Sequence, residues 1–325
     1  MKQEWLFVGP TLLAGIGQVT KKYADLMEAE YITFGERASK THYENVFMFI
    51  LPIDVQLQMI KDYYRNLSDN IVYMTVCETL TVHPSYGKLL ELSKVIYCPS
   101  EFSKRVLQKQ FGEGYFRVLH HWTPVPRLAT PLDTVRPYVF YTIGNVLDPR
   151  KNITMLVDCF LRMKYAGCNV QLVLKATCKQ DVPWKIPDVQ IINGLLSNEE
   201  LDAVHDQCHC YVNCSYSEGV GMGAVEAAMR DKPVIISDFG GLHEYVKTPF
   251  VVKTTPGPIG FDDFLYTKDL EWGHPDRQSL LDQMTKCYEE SLTSWDHSFT
   301  RDLVARVRGR ICELGKPRDQ QTELH

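Results

Sequence analysis

The chain has 325 residues and a formal net charge of −5, from 35 Lys plus Arg and 40 Asp plus Glu. Hydrophobic residues make up 45% and charged residues 23%, a globular composition that excludes disordered, collagen-like and coiled-coil chains. At about 150 residues per domain, the length predicts about two domains. The slightly acidic balance supplies no broad basic surface for a nucleic-acid backbone, so we expect no nucleic-acid partner.

The distribution of apolar residues along the sequence does not indicate a membrane-spanning protein. The longest apolar run, Val46 to Leu51, is far shorter than the roughly 20 residues that a membrane span needs. The start of the chain carries Glu4 and lacks the long apolar stretch of a signal peptide. We therefore expect a cytoplasmic protein with reduced cysteines and at most a peripheral contact with membranes.

The first part of the chain alternates short apolar runs with helical spacing. An apolar run at Trp5 to Gly9 predicts a buried strand, followed by a turn with Gly15 and Gly17 and a helix over Gln18 to Met27. Further strands are predicted at 46–50, 71–76 and 95–98, with a helix starting after Ser100. Residues 1–125 are predicted to form one domain.

A proline-rich segment separates this domain from a second one. Four prolines lie within residues 118–137, so 126–137 is predicted to be a linker. Residues 138–295 then alternate strands (138–143, 170–174, 189–192, 210–213, 233–237) and helices (153–166, 198–205, 223–229). This alternation predicts an α/β domain with a parallel sheet, in which ligands bind at the carboxyl ends of the strands. The tail, 296–325, is predicted to be helical and to pack back on the first domain.

One cluster of metal-ligand residue types needs an explanation: His205, Cys208, His209, Cys210 and Cys214. A zinc site usually has ligand pairs a few residues apart and a second pair elsewhere, and this chain has no C-x-x-C pair. The spacing favours a helix end that runs into a buried strand, and we expect no metal site.

The segment from Ser215 to Met229 carries the most specific pattern of the chain. Glycines at 219, 221 and 223 let the backbone approach a ligand, and the following helix offers free amides to a phosphate. Glu218 and Glu226 flank the glycines, and each carboxylate suits a pair of sugar hydroxyls. The pattern thus fits a nucleotide-sugar, although a capped helix with glycines that relieve packing would have the same spacing.

A second group follows the strand that ends near residue 143. Arg150 and Lys151 come after the turn that begins at Gly144 and Asn145. Basic residues are unfavourable at a helix start because of the helix dipole, which favours a functional interpretation over a solvated turn. Such a pair would neutralise a diphosphate leaving group.

These motifs resemble those of the retaining glycosyltransferases of family 4, which have the GT-B fold. Glu218 and Glu226 are similar to the E-x7-E pair of that family, with Gly219 to Met222 in place of its usual G-F-G-L. Further support comes from Pro233-Val234-Ile235, Gly240-Gly241, Glu244, Gly194 and Leu201, and more weakly from Gly15-Ile16-Gly17 and Pro99 to Ser103. The resemblance covers about residues 138–246.

The resemblance implies two Rossmann-like domains with parallel sheets facing each other across a cleft, and a donor site on the second domain. It implies that Glu218 contacts the donor sugar and Glu226 the ribose, while Lys151 and Arg150 stabilise the diphosphate. Donor contacts are also implied at the Gly15 to Gly17 loop and for a set of residues on the second domain: Gly194, Leu195, Leu196, Gly219, Val220, Gly221 and Met222.

Other positions are less specific. Lys175 ends a strand near this site, where it would contact phosphate or extend to the surface as an ordinary lysine. Asn145 stands where the family often has Arg, so a phosphate contact there would be lost or shifted to Arg150. Glu78 and His83 are the polar candidates for acceptor binding in the first domain, against ordinary surface roles.

We therefore expect a metal-independent, cofactor-free glycosyltransferase that moves a sugar, with retention, from a nucleotide-sugar to a hydroxyl. The acceptor would be a glycan, a lipid-linked saccharide or a small molecule. Two alternatives remain open: a GT-B-like sugar-nucleotide epimerase, and a non-catalytic protein that binds sugar-nucleotides.

Overall fold

A computed structural model describes residues 4–129, 132, 137–263 and 265–314. The strands are β1 (Trp5–Gly9), β2 (Glu30–Thr33), β3 (Asn45–Phe49), β4 (Ile71–Met74), β5 (Ile96–Cys98), β6 (Phe116–Val118), β7 (Tyr138–Gly144), β8 (Val170–Ala176), β9 (Val189–Asn193), β10 (Cys210–Asn213), β11 (Val234–Ser237), β12 (Val251–Val252), β13 (Thr254–Pro258) and β14 (Glu271–Pro275). The α-helices are α1 (Gly15–Met27), α2 (Asp54–Asp62), α3 (Glu101–Phe111), α4 (Ile153–Tyr165), α5 (Asn198–Gln207), α6 (Met222–Ala228), α7 (Leu242–Tyr245), α8 (Arg277–Glu289) and α9 (Ser298–Cys312).

The first sheet contains β1 to β6 in the order β2-β1-β3-β4-β5-β6, and each neighbouring pair is parallel. All five residues of β1 and all five of β3 are buried. Both strands are continuous apolar runs because helices cover both faces of a parallel sheet. The continuous apolar run of each strand is what made β1 and β3 recognisable in the sequence.

The second sheet has the order β12-β11-β10-β7-β8-β9 and is also parallel throughout. The chain lays down β7, β8 and β9 to one side and then returns to add β10, β11 and β12 on the other. The direction of winding therefore reverses between β7 and β10. In doubly wound sheets, ligands bind at this reversal, outside the carboxyl ends of the two strands.

The described residues form two compact units. The first holds those within Met1–Pro124, Ile259–Leu270 and Leu303–His325, and the second those within Val125–Pro258 and Glu271–Asp302. Nothing in the sequence indicated that the described residues within 259–270, which lie between β13 and β14, group with the first unit. Half of the expected linker, 126–137, is outside the described residues.

The predicted strands and helices are confirmed within one to three residues at their ends. Several elements were not predicted: β2, β6, α2, α7, α8, β12 and the antiparallel pair β13–β14. Helix starts agree with local capping chemistry. Ser197 accepts from the amide of Glu200 and Glu200 bonds back to Ser197, a reciprocal pair that begins α5.

Candidate functional site: the carboxyl ends of β7 and β10

Two loops meet at the reversal of the second sheet. One follows β7 and runs from Gly144 through a short 3₁₀ turn at Pro149–Lys151, and the other follows β10 and leads to α6. A small cavity between them is lined by residues of both loops, among them Gly144, Asn145, Lys151, Asn213 and Ser215. The two sequence motifs that pointed to phosphate and sugar binding therefore lie at one place in the fold.

The loops are held together by hydrogen bonds between their main chains and side chains. The amide of Tyr216 donates to the carbonyl of Arg150 (2.9 Å), and the Asn152 side-chain amide donates to the Cys214 carbonyl (3.2 Å). The Arg150 guanidinium donates to the carbonyl of Ser217 (2.7 Å). Because both loops are fixed to each other, the charged side chains between them have little freedom to move apart.

Glu218 is the centre of the charged cluster. Only 5% of the surface of Glu218 is exposed to solvent. Lys151 Nζ (2.6 Å), Asn213 Nδ2 (3.2 Å) and Ser215 Oγ (2.7 Å) donate to Oε1, and Arg150 Nη1 (3.1 Å) donates to Oε2. Burial raises the pKa of Glu218, but the charges of Lys151 and Arg150 outweigh burial and hold that pKa well below its usual range. The carboxylate is therefore ionised and well supplied with donors.

The two cations differ in how many partners they have. The Arg150 guanidinium also approaches Asp148 Oδ2 (3.4 Å), and with Ser217 and Glu218 it bonds three groups. Among the described residues, the Lys151 ammonium has one hydrogen-bond partner, Glu218, and its side chain is 20% exposed. An ammonium has three N–H donors, so Lys151 can bind a further anion while Arg150 fixes the loops.

The backbone is closely packed around Glu218 and the glycine segment that follows it. A Cβ on Gly240 would lie 2.4 Å from the Glu218 carbonyl oxygen, and Gly240 has a φ of +94°. The neighbouring amide of Gly241 donates to that same carbonyl (2.8 Å). Gly221, with a φ of +73°, is the residue before α6, and Gly219 and Val220 are buried. Met222 begins the helix, so the chain turns sharply between Glu218 and α6.

Glu226 lies on the second turn of α6 and is partly buried. Its main-chain carbonyl accepts from Arg230 Nη1 (2.9 Å), which ties the helix to the guanidinium that also pairs with Asp202. Glu226 thus lies about one turn beyond the glycine segment.

Lys175 is placed differently from either expectation. It is 2% exposed, so it is not a surface lysine, and its ammonium donates to the carbonyls of Ala176 (3.0 Å) and Gly194. Burial lowers the pKa of Lys175. The side chain joins the ends of β8 and β9 and fixes Gly194, which has a φ of +124°. Leu195 beyond it is 54% exposed, and Leu196 is partly buried.

Asn145 has a local structural role in the turn after β7. Its Oδ1 accepts from the amide of Leu147 (3.2 Å) and from the Cys178 thiol (3.0 Å). The first of these bonds is the two-residue turn that asparagine commonly forms with its own backbone. The shift of a phosphate contact from this position to Arg150 remains a prediction.

Gly15 and Gly17 are not in a loop, as the sequence suggested, but in the first turn of α1. A Cβ on Gly17 would lie 2.3 Å from the Thr11 carbonyl oxygen, whereas one on Gly15 would meet no atom within 4 Å. The close approach of the chain after β1 therefore explains Gly17 without any ligand. The helix begins earlier than predicted because two glycines hide the helical spacing.

The two acceptor candidates of the first unit have different surroundings. His83 precedes the 3₁₀ helix Pro84–Glu91, and its Nδ1 accepts from the amide of Ser85 (3.2 Å), so it acts as a helix cap. Glu78 follows β4 and is partly buried, and the hydroxyl of Tyr266 donates to its Oε2 (2.5 Å). Glu78 is therefore a better candidate for ligand binding than His83.

The His/Cys cluster is a helix end that runs into a buried strand. His205 Nδ1 contacts the Tyr141 hydroxyl (2.7 Å), and His209 Nδ1 accepts from the amide of Val139 (3.0 Å). Within the described ranges, no group of three or more His, Cys, Asp or Glu side chains is arranged to hold a metal ion. In the same ranges, the helices all lack the length and apolar character to cross a membrane.

Sequence reasoning missed two polar residues of the site, Asn213 and Ser215. Both donate to Glu218, and Asn213 Oδ1 also accepts from the amide of Ser215 (3.1 Å). Their signal is position: Asn213 is the last residue of β10 and Ser215 lies two residues beyond it, at the carboxyl end of the strand, where a parallel sheet delivers side chains to a ligand.

Part of the chain matches a known protein family in sequence. Residues 136–251 match the family model for glycosyl transferases group 1, from β7 to the start of β12. No curated protein is significantly similar to the whole chain in sequence.

The chain is similar in structure to several solved glycosyltransferases. HepE of Anabaena in complex with UDP-glucose is 13% identical and has a TM-score of 0.67, with 96% of this chain and 98% of that chain covered. Sucrose-phosphate synthase of Thermosynechococcus elongatus is 13% identical and has a TM-score of 0.61, with 96% of this chain and 95% of that chain covered. The lipopolysaccharide outer core galactosyltransferase WaaB is 12% identical with a TM-score of 0.59 and covers 96% and 98%. These likenesses show the fold, two parallel six-stranded sheets of the GT-B type.

Proposed function

We propose that this protein is a retaining glycosyltransferase that moves a sugar from a nucleoside-diphosphate sugar to an acceptor hydroxyl without an essential metal ion. The observation that carries the proposal is the cluster of Lys151, Arg150 and Glu218 at the β7/β10 reversal. It lies inside the segment that matches the group 1 glycosyltransferase model. HepE, a similar structure, was solved with UDP-glucose, which supports a nucleotide-sugar as partner.

Lys151 is the group we assign to the diphosphate. As the bond from the sugar to the diphosphate breaks, negative charge develops on the leaving phosphate oxygen. A fixed ammonium stabilises that charge more than it stabilises the ground state, which lowers the barrier. Its partner Glu218 holds the ammonium in place at 2.6 Å, so little reorganisation is needed during the reaction. This cation supplies the charge that a metal ion supplies in other transferases.

Arg150 acts through position rather than through direct contact in this arrangement. Its bonds to the Ser217 carbonyl and to Glu218 join the loops after β7 and β10. An arginine fork that bonds two groups in fixed directions is well suited to this role.

Glu218 has four donors from the protein, about as many as a carboxylate has lone-pair positions. Contact with a donor sugar hydroxyl would therefore require a hydroxyl to replace one of them. The two neutral donors, Ser215 and Asn213, cost less to exchange than either cation, because a neutral group contributes less to a buried carboxylate than a charged one.

The remaining donor contacts follow the resemblance. Glu226 would accept from the ribose hydroxyls, and the amides of Val220, Gly221 and Met222 would face the diphosphate. The turn from Gly194 to Leu196, which Lys175 fixes, would border the nucleobase. The exposed side chain of Leu195 provides apolar surface there. The acceptor would be a glycan, a lipid-linked saccharide or a small hydroxylic molecule.

A thermal-shift and calorimetric screen against UDP-, GDP- and ADP-sugars, each with Mg²⁺ and with EDTA, tests the proposal. A ligand at 100 times its dissociation constant stabilises the fold by about 2.7 kcal/mol. We expect one nucleotide class to raise the melting temperature equally with and without the metal. Stabilisation that requires Mg²⁺ would contradict the metal-independent mechanism, and no stabilisation by any class would contradict a nucleotide-sugar site.

A further inference from the structure

Lys175 is a buried cation that has no carboxylate partner in the part of the chain that the structure describes. It is 2% exposed and lies in register with Ile143 of β7 and Ile192 of β9. Its ammonium donates to the main-chain carbonyls of Ala176 (3.0 Å) and Gly194. A neutral amide side chain would donate to the same carbonyls without the cost of burying a charge. The two bonds alone therefore do not explain why the residue is a lysine.

The Lys175 ammonium has one hydrogen-bond donor left over. An ammonium carries three N–H groups, and within the described ranges two of them bond to the carbonyls of Ala176 and Gly194. Because the residue is 2% exposed, bulk water has little access to the third. A buried donor without a partner is costly, so the third N–H is suited to an acceptor atom of a ligand or to an ordered water.

This donor lies at the turn that would border the nucleobase. Gly194 follows β9, which is two strands from β7 in the second sheet, about 10 Å at the usual strand spacing. The ribose and base of a nucleotide whose diphosphate lies at Lys151 cover such a distance. The ends of β8 and β9 are fixed to each other, because Asn193 Oδ1 accepts from the Cys178 amide (3.0 Å). A base that reaches this turn therefore meets a fixed edge of the protein beside Lys175.

Nucleobases differ in what they present to such a donor. Guanine O6 and uracil O4, which is the O4 of thymine, accept hydrogen bonds, whereas adenine and cytosine have amino groups at these positions that donate. An ammonium has donors and no acceptor, so it bonds to the oxygen and not to the amino group. The geometry of this edge therefore favours a base with an exocyclic oxygen, which we call a keto base.

We infer that Lys175 determines the base of the donor nucleotide by donating its third N–H to the exocyclic oxygen of a keto base, uracil or guanine. This inference rests on the proposed function and adds to it the class of base and the residue that selects it. Two explanations compete with it. Lys175 either only joins β8 to β9, or attracts the diphosphate of any nucleotide.

Pairs of nucleotides isolate the group that Lys175 would contact. UDP and CDP differ at position 4 of the pyrimidine, and IDP and ADP differ at position 6 of the purine. GDP is added because it has the same O6 as IDP, and pyrophosphate is the probe without a base. Isothermal titration calorimetry on the full chain measures the dissociation constant of each.

Two variants remove the third N–H in different ways. Lys175→Met keeps the length of the side chain and removes every donor. Lys175→Gln has two N–H donors, enough for the two carbonyls and no more, so it keeps the turn closed if Lys175→Met does not fold. The matched control is Lys232→Met. Lys232 is 1% exposed and its ammonium donates to the Cys208 carbonyl (2.8 Å), but it precedes the amino end of β11 in the same unit.

We expect the parent protein to bind the keto member of one pair at least about tenfold more tightly than the amino member, with GDP grouped with IDP. Lys175→Met and Lys175→Gln should bring the two dissociation constants close together and leave pyrophosphate binding unchanged. Lys232→Met should keep the ratio of the parent protein.

A parent protein that binds CDP or ADP as tightly as its keto counterpart overturns the inference. So does a ratio that survives in the folded Lys175 variants, or one that Lys232→Met also removes. A fall in affinity that is equal for all nucleotides and for pyrophosphate favours the diphosphate explanation and also overturns it. In each of these cases nucleotides still bind, so the proposed function stands. No binding of any nucleotide by the parent protein overturns both.

Discussion

Glu218 is a buried carboxylate that receives hydrogen bonds from two cations, Lys151 and Arg150. Its lowered pKa makes it a contributor to stability that depends on pH. The folded state holds the ionised form, so the contribution is complete above the ordinary value of 4.5 and is lost as pH falls towards the lower folded value.

Glu218→Gln removes this contribution and leaves both cations without their shared anion. Breaking a buried ion pair costs about 3–5 kcal/mol, so we expect a loss of that order in the free energy of unfolding at pH 7. The gap to the parent protein should narrow below pH 4.5, because the parent then takes up a proton. Urea unfolding at several pH values measures this.

Glu289→Gln, a change at an exposed position of α8, is the matched control and should follow the parent protein at every pH. A gap between Glu218→Gln and the parent that stays constant from pH 7 to pH 3 would contradict an ionised Glu218 in the folded state.

The sequence identified the charged residues of the site but neither their partners nor the neutral donors Asn213 and Ser215. Lys151 and Glu218 were recognised because each lies in a dense motif after an apolar strand. Their bond to each other depends on β7 and β10 being neighbours, although β8 and β9 lie between them in the chain. The burial of Lys175 was not predictable for a similar reason. Its ammonium donates to the carbonyl of Gly194, which follows the next strand of the chain, β9.

At the element scale, α1 shows how a glycine motif can be explained by packing. Gly17 lies against the Thr11 carbonyl, and Gly15 faces open space. Both were candidates for donor contact because the resemblance to family 4 glycosyltransferases implies a loop there.

The pair of variants Gly17→Ala and Gly15→Ala separates packing from ligand binding. Gly17→Ala should lower the free energy of unfolding by about 1–3 kcal/mol, because the new methyl group overlaps a backbone oxygen. Gly15→Ala should be neutral or stabilise by up to about 1 kcal/mol, since alanine is the better helix former. Thermal unfolding of both variants measures this, and equal effects would contradict the packing that places Gly17.

Elements that are continuous apolar runs were predicted, whereas several short or mixed elements and the longer helix α8 were not. Helix α2 has buried Leu57 and Ile60 three residues apart, a spacing that was present in the sequence but spans only nine residues. β2 has four residues with one buried, so neither continuous burial nor strict alternation marks it. β13 and β14 contain Gly and three prolines, which normally argue against a strand.

At the scale of the whole molecule, the division into units is not a single cut in the chain. Residues 259–270 and the described residues from Leu303 onward group with the first unit, although both follow the second sheet in the sequence. The proline-rich segment indicated one boundary near residue 125. The sequence analysis expected the tail to pack back on the first domain, and Arg310 of the tail donates to the Val118 carbonyl. The grouping of the segment between β13 and β14 with the first unit was not expected, because it depends on contacts between residues far apart in the chain.

The central claim is that Lys151 binds the diphosphate of a nucleotide donor. Isothermal titration calorimetry of UDP, GDP and ADP against the parent protein, Lys151→Ala and Lys185→Ala tests it most directly. Lys185 is an exposed lysine of the same unit and serves as the control. We expect the nucleotide that binds the parent protein to bind Lys185→Ala with equal affinity. It should bind Lys151→Ala at least about tenfold more weakly, a loss of about 1.4 kcal/mol of binding free energy. Equal affinity for folded Lys151→Ala and the parent protein would contradict it.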